Sequence, residues 1–279
     1  MDYKNLEIRG KDLILRDIKH FIPSQVLDCG QCFRWEAVQD DDRIRYIGIA
    51  HGRQLSISLE DSDLIFENTS QAEFKNIWCD YFDLGRNYGL LREDYVADQR
   101  LKEALAFSPG LRLMRQDPWE TVITFILSQN CNIPRIKTMV SRLCEAFGKP
   151  IPGGFAFPTP KHLSNLNEND LNAIKCGYRA KYIIDAAKRV ADGRLPINEM
   201  FEMPTEDIRQ ALMEVSGIGP KVADCILLYG FGRVERYPMD VWMKRVMASW
   251  FPDGFPKNLL NTAGIAQQFL FHFARMRKI

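Results

Sequence analysis

Between Val215 and Lys221 the chain reads Val-Ser-Gly-Ile-Gly-Pro-Lys, two glycines and a proline set between apolar stretches of helical period. Glycine ends a helix readily and proline begins one, so the segment reads as a short hairpin joining two helices. A dinucleotide fingerprint would need a preceding strand and a small residue at the sixth position, which here is Val222. A phosphate-binding P-loop would need four residues between its first Gly and the Gly-Lys pair, and these are absent. What remains is helix–hairpin–helix, with Gly217 and Gly219 both expected to allow positive φ and close approach. Its turn and the following helix start offer unpaired backbone N–H groups to an anion, a nucleic-acid phosphate among them. A plain αα-turn carries the same sequence.

Lys221 stands where a cation is disfavoured, at the positive end of the second helix. That placement favours the free amine, a nucleophile that forms Schiff bases with masked aldehydes. Nineteen residues on, Asp240 follows Pro238-Met239 and precedes VWMKRVM, the place of a helix N-cap. Held ionised there, it would stabilise a developing cationic sugar or orient the amine. A solvated lysine and an ordinary cap are the plain alternatives.

The 279 residues, 46% hydrophobic, suit a folded protein of two or three packed units. No apolar run reaches membrane-spanning length, and MDYKNLEIRG lacks a signal-peptide apolar region. Seven cysteines make an odd set without a disulfide framework, which suits the cytoplasm. Net charge is +1, but residues 1–110 carry 14 Lys and Arg against 20 Asp and Glu, and residues 111–279 carry 23 against 16. The C-terminal part is therefore the candidate for a polyanion. RIRYIGIA, QLSISL and DLIFEN read as antiparallel strands divided by QDDD, HGR and EDSD turns. AEFKNIWCDYF and EDYVADQRLKEALAF read as helices, and Ser108-Pro109-Gly110 as a boundary. Beyond it the texture is helical: DPWETVITFILSQN with Asp117 as N-cap, then helices over 135–147, 179–191, 205–214, 220–230, 241–250 and from about 263. GGFAFPTP reads as a connecting loop.

SGIGPKVADCILL followed by PMDVWMKRV resembles the hairpin, Gly/Pro-rich loop and Asp signature of base-excision DNA glycosylases. VLDCGQCFRW, RQDPWETVITFILSQNCNIPRIKTMVSRLCEAFG, GYRAKYI and AQQFLF resemble the 8-oxoguanine DNA glycosylase branch, in order, over most of residues 26–271. The resemblance implies an α+β fold: a TBP-like antiparallel β domain over 1–110, packed on all-α helix–hairpin–helix glycosylase domains over 111–279. It implies base flipping, N-glycosidic cleavage and nicking of the abasic strand, with double-stranded DNA containing 8-oxoguanine as partner and a monomer as the working form.

By the same resemblance Lys221 is the nucleophile and Asp240 the essential carboxylate. Gly30 supplies a carbonyl to the N7–H of the oxidised base, Gln267 reads its Watson–Crick edge, and Cys225 and Phe271 sandwich its ring. Asn130, Arg135 and Arg179 read the opposite cytosine, and Tyr178 is the wedge. No metal or iron–sulfur cofactor is implied, since Cys225 is the last cysteine; a monovalent cation at the hairpin carbonyls is the one ion the family allows. Trp242 stands where the family has a phosphate-contacting histidine, and Cys131 where it has an asparagine, departures that suit a prokaryotic member acting at the nucleoid. Cys29 and Cys32 have no second pair to make a metal site. Two other functions stay open: a glycosylase for formamidopyrimidines, and a noncatalytic DNA-binding scaffold.

Overall fold

The computed structural model describes residues 1–40 and 43–278; Asp41 and Asp42 of the expected QDDD turn lie outside the described residues. Six strands form one sheet: β1 Asn5–Arg9, β2 Asp12–Arg16, β3 Trp35–Asp40, β4 Arg43–Ala50, β5 Arg53–Glu60 and β6 Asp63–Phe66, in the order β1-β2-β6-β5-β4-β3. The pairs β1–β2, β2–β6, β5–β6 and β3–β4 are antiparallel. With helices filling most of the remaining chain, the α+β class holds. Sequence periodicity found β4, β5 and β6 and missed the others. β1 and β3 are the two edges, largely exposed and polar, so no buried face imposes alternation on them.

The sheet's core is aromatic. Trp35 is fully buried and donates its indole N–H to Tyr81 Oη at 2.9 Å. It lies against the backbone of its cross-strand partner Gly48, where any Cβ would collide with the ring. Phe82 lies tilted against it at 5.6 Å; Phe66 meets Phe74 and Phe82 edge to face, and Trp78 lies tilted against Phe82.

Helix α1 spans Pro23–Leu27, α2 Tyr88–Tyr95 and α3 Gln99–Phe107. The expected single helix over EDYVADQRLKEALAF is thus two. Asp98 breaks it by capping α3, accepting from the N–H groups of Arg100 (2.9 Å) and Leu101 (3.2 Å). There follow α4 Pro118–Leu127, α5 Ile133–Phe147, α6 Ala180–Ala191, α7 Thr205–Met213, α8 Pro220–Tyr229, α9 Val241–Trp250 and α10 Ala263–Arg277. Asp117 caps α4 as its sequence predicts, accepting from the Glu120 N–H at 2.8 Å. α5 buries Ile136, Met139, Val140, Leu143 and Cys144, one stripe at helical spacing. GGFAFPTP is not wholly loop, since Pro150–Ile151 pairs with Gly154–Phe155 in a two-stranded ribbon. Among the described residues no helix is long and apolar enough to cross a membrane.

The chain divides into two compact units: Met1–Gly48, Leu55–Arg115 and Val234–Ile279 form the first, Ile49–Gln54 and Gln116–Arg233 the second. This grouping differs from the expected 1–110 and 111–279, because α10 returns to the first unit. Phe273 meets Phe107 of α3 edge-on at 5.4 Å, and Tyr95 donates its hydroxyl to the Thr262 carbonyl at 3.1 Å. Ser108-Pro109-Gly110 lies inside that unit too: the Ile22 N–H donates to the Gly110 carbonyl at 2.9 Å, and the Gly110 N–H to Gln25 Oε1 at 2.7 Å. In the second unit α8 is buried from Val222 and Ala223 through Cys225 to Tyr229, with Tyr229 stacked on Phe125 of α4 at 5.3 Å. Arg209 Nε donates to Asp224 Oδ1 at 2.9 Å and ties α7 to α8.

Candidate active site

The hairpin joins α7 to α8 with Val215 and Ile218 buried beneath it and Gly219 exposed above. Gly217 has φ +81°, and an added Cβ would run into the Tyr182 ring, so glycine is required by both conformation and space. Gly219 corrects the expectation of positive φ. It is the extended N-cap of α8, φ −95° and ψ −179°, and a Cβ there would meet no atom within 4 Å. The cap brings no side chain to the first N–H groups of α8, and Pro220 occupies the first helical turn. From α6, Asp185 Oδ2 accepts the Ser216 N–H at 2.8 Å, while Arg189 Nε donates to both carboxylate oxygens at 3.2 Å. Burial works to raise this carboxyl, but the Ser216 N–H and Arg189 outweigh it and hold it below its usual range.

Lys221 follows directly, half-buried in the first turn of α8 with Nζ 5.7 Å from the centroid of the Phe125 ring. It makes no ion pair among the described residues. Cys225 is four residues on, therefore on the same helix face, and only 3% exposed. In the same unit Asn130, Tyr178 and Arg179 come together: Asn130 Nδ2 donates to Tyr178 Oη at 3.4 Å, and the Arg179 guanidinium lies 4.6 Å from the Tyr178 ring centroid. Tyr178 is 48% exposed, as a wedge would be. Arg179 is 3% exposed and engaged with backbone, its Nε and Nη2 donating to the Gln129 carbonyl and its Nη1 to that of Cys176 at 3.1 Å. Asn130 holds φ +48°, a conformation asparagine tolerates better than most residues. Arg135 is exposed on the first turn of α5, whose cap Asn132 accepts its N–H at 3.0 Å.

The first unit carries the other predicted residues. Asp240 is the N-cap of α9, half-buried, its Oδ1 accepting from the Met243 N–H at 2.8 Å. Trp242, in that first turn, lies under Arg245 with the guanidinium 5.1 Å from its ring centroid. Gln267 is buried on α10, and among the described residues its Oε1 has no hydrogen-bond partner. Phe271, four residues later, shares its face of α10 and is half-buried. Gly30, φ +97°, lies in the loop after α1, between two fully buried residues. One of them, Gln31, donates through Nε2 to the carbonyls of Val26 and Arg112, both at 2.8 Å, and accepts from the Met114 N–H at 2.9 Å. The other, Cys29, donates its thiol to the Val26 carbonyl at 3.3 Å; burial pushes that thiol up to about 11.

Sequence reasoning missed the residues that hold these positions: Asp185 and Tyr182 behind the hairpin, Gln31 beside Gly30, and Arg112 behind Gln31. Arg112 is fully buried against Asp2 and over the Tyr88 ring, at 4.2 Å. Each acts across tens of residues, and no local pattern marks such partners. Among the described residues no three His, Cys, Asp or Glu side chains converge as a metal would require, and all seven cysteines are free.

Residues 13–122 match the family model described as 8-oxoguanine DNA glycosylase, N-terminal domain, and residues 123–257 that of the HhH-GPD superfamily base excision DNA repair protein. The solved structure of MBOgg1 in complex with a low-affinity DNA ligand is 40% identical, with a TM-score of 0.92 and both chains covered in full. The Clostridium acetobutylicum 8-oxoguanine glycosylase/lyase, solved with DNA containing cytosine opposite 8-oxoguanine, is 33% identical with a TM-score of 0.91, again with full coverage of both. An N-glycosylase/DNA lyase of Saccharomyces cerevisiae is 32% identical over 80% of this chain and 66% of its own length. A probable N-glycosylase/DNA lyase of Methanothermobacter thermautotrophicus is 35% identical over 55% of this chain and 56% of its own, so the alignments take in only part of these curated relatives. Two consecutive family models and end-to-end likeness to solved relatives lead to one conclusion: the chain belongs to the 8-oxoguanine DNA glycosylase family of helix–hairpin–helix base-excision repair proteins.

Proposed function

We propose that this protein excises 8-oxoguanine from duplex DNA, chiefly opposite cytosine, and then nicks the abasic strand through a Lys221 Schiff base. The observation that carries the reading is half-buried Lys221 in the first turn beyond the hairpin, its Nζ 5.7 Å from the Phe125 ring centroid and without an ion pair among the described residues. Lys221 Nζ attacks C1′ as the bond from C1′ to N9 breaks, and the purine leaves with the electron pair. Asp240, ionised at its cap, stabilises the cationic sugar that develops. Opening of the sugar ring gives the Schiff base, loss of a C2′ proton follows, and β-elimination breaks the bond from C3′ to its phosphate oxygen. The open N–H groups around Gly219 receive a backbone phosphate, where the missing side chain permits close approach.

Gly30 and Gln267 of the first unit read the edges of the base. 8-Oxoguanine carries a hydrogen on N7 where guanine has a lone pair, so the Gly30 carbonyl accepts from the one and repels the other. The Gln267 Oε1 is buried without a donor, a state that costs about 1–3 kcal/mol. The N1–H and N2–H groups of 8-oxoguanine supply what it lacks. Phe271 and Cys225 take the two ring faces. Asn130, Arg135 and Arg179 read the opposite cytosine while Tyr178 enters the stack. The protein works as a monomer in the cytoplasm, and on nucleoid DNA if the cell is prokaryotic.

Strand cleavage of 8-oxoguanine opposite each of the four bases tests this reading, beside a formamidopyrimidine duplex. Cleavage is expected to be fastest opposite cytosine. Equal rates opposite all four would remove the reading set from its role, and preference for the formamidopyrimidine would change the substrate.

A further inference from the structure

Both base-reading positions of the first unit are attached to one helix. Gln267 is part of α10; Gly30 lies far away in sequence, yet the residue before it is bound twice to that helix. Gln268 Nε2 donates to the Cys29 sulfur at 3.2 Å, and Arg275 Nη1 donates to the Cys29 carbonyl at 3.0 Å. Cys29 and Gln268 are both 0% exposed, so the bond between them is made out of reach of water, while the Arg275 bond is part-buried. The thiol is a neutral group there, accepting from Gln268 and donating to the Val26 carbonyl. On the other side of Gly30, Gln31 is fixed by three backbone groups. A glycine at φ +97° could otherwise swing freely, and it is the flanking anchors that stop it. Successive helix residues point about 100° apart. The tandem glutamines thus divide the labour: Gln268 is spent on the loop and Gln267 keeps its buried, unpartnered oxygen.

We infer that Gln268 and Arg275 are positioning residues that hold the Gly30 carbonyl at a fixed offset from Gln267. One rigid helix then gauges a purine at N7 and at its Watson–Crick edge together. The inference rests on the roles given to Gly30 and Gln267 above. It concerns base reading and not the Lys221 amine, which is carried by α8.

The test compares wild type, Gln268→Leu, Arg275→Ala and Arg275→Lys on two duplexes, one with 8-oxoguanine opposite cytosine and one with a preformed abasic site opposite cytosine. Nicking at the abasic site needs the amine and no base reading, so it reports fold and DNA binding within each variant. Excision relative to abasic nicking is expected to fall at least about 10-fold in Gln268→Leu and Arg275→Ala, and Arg275→Lys to recover most of the loss. Arg275 is only half-buried, so its variants decide the matter even where the buried Gln268→Leu fails to fold. Equal loss on both duplexes in the Arg275 variants, or no loss, overturns the inference. Wild-type protein that nicks abasic DNA but leaves 8-oxoguanine intact would instead overturn the functional reading, a result distinct from a ratio that does not move.

Discussion

Gly217 and Gly219 stand two residues apart, and only the first is demanded by the fold. At Gly217 both the φ of +81° and the Tyr182 ring exclude a side chain, whereas at Gly219 the backbone is ordinary and the space is open. Gly217→Ala should therefore destabilise the protein by roughly 1–3 kcal/mol. Gly219→Ala should leave thermal unfolding nearly unchanged and weaken binding to duplex DNA several-fold. Melting curves beside fluorescence anisotropy check both, and equal losses of stability would contradict the phosphate role. Asp240 is separable in the same manner. Asparagine caps a helix about as well as aspartate, so Asp240→Asn should melt close to wild type while excision falls on the order of 10²–10³-fold. Unchanged excision would reduce Asp240 to its cap. At this scale the caps at Asp117 and Asp240 were legible, because capping is decided within four residues. The backbone state of Gly219 and the burial of Arg179 were not, since neither is written in its neighbours.

The hairpin is held as an element by Asp185 of α6, whose carboxylate receives the Ser216 N–H. That carboxyl is lowered in the fold, so its contribution is present above the unfolded aspartate range and is lost as pH falls through the lowered value. Asp185→Asn should thus be less stable than wild type near neutrality, and the gap should close as the solution is acidified. Urea unfolding of the two proteins across that range measures it; a gap that widens in acid would contradict the sign. The helices were readable, α5 from its apolar stripe and α8 and α10 from longer buried runs, and so were the runs of β4 to β6. β2 was not, although its Leu13, Ile14 and Leu15 are buried, nor were the edges β1 and β3, nor the break at Asp98, where one capping aspartate overrides a continuous helical pattern.

For the whole molecule the sequence supplied the class and the family, through motifs spread over most of the chain, but not the grouping of its parts. Residues 234–279 carry 7 Lys and Arg against 3 Asp and Glu, yet they join the first unit, so the basic surplus does not follow the boundary drawn at 110. What recruits them is packing by Phe273 and Arg275 against residues more than a hundred positions earlier, which no local pattern records. The account of the molecule as a catalyst depends in the end on one bond between Lys221 and deoxyribose. Borohydride reduction of the protein mixed with a duplex bearing 8-oxoguanine opposite cytosine tests it most directly. A covalent protein–DNA adduct from wild type, absent from Lys221→Gln, is the predicted result; an adduct of undiminished yield from Lys221→Gln would contradict it.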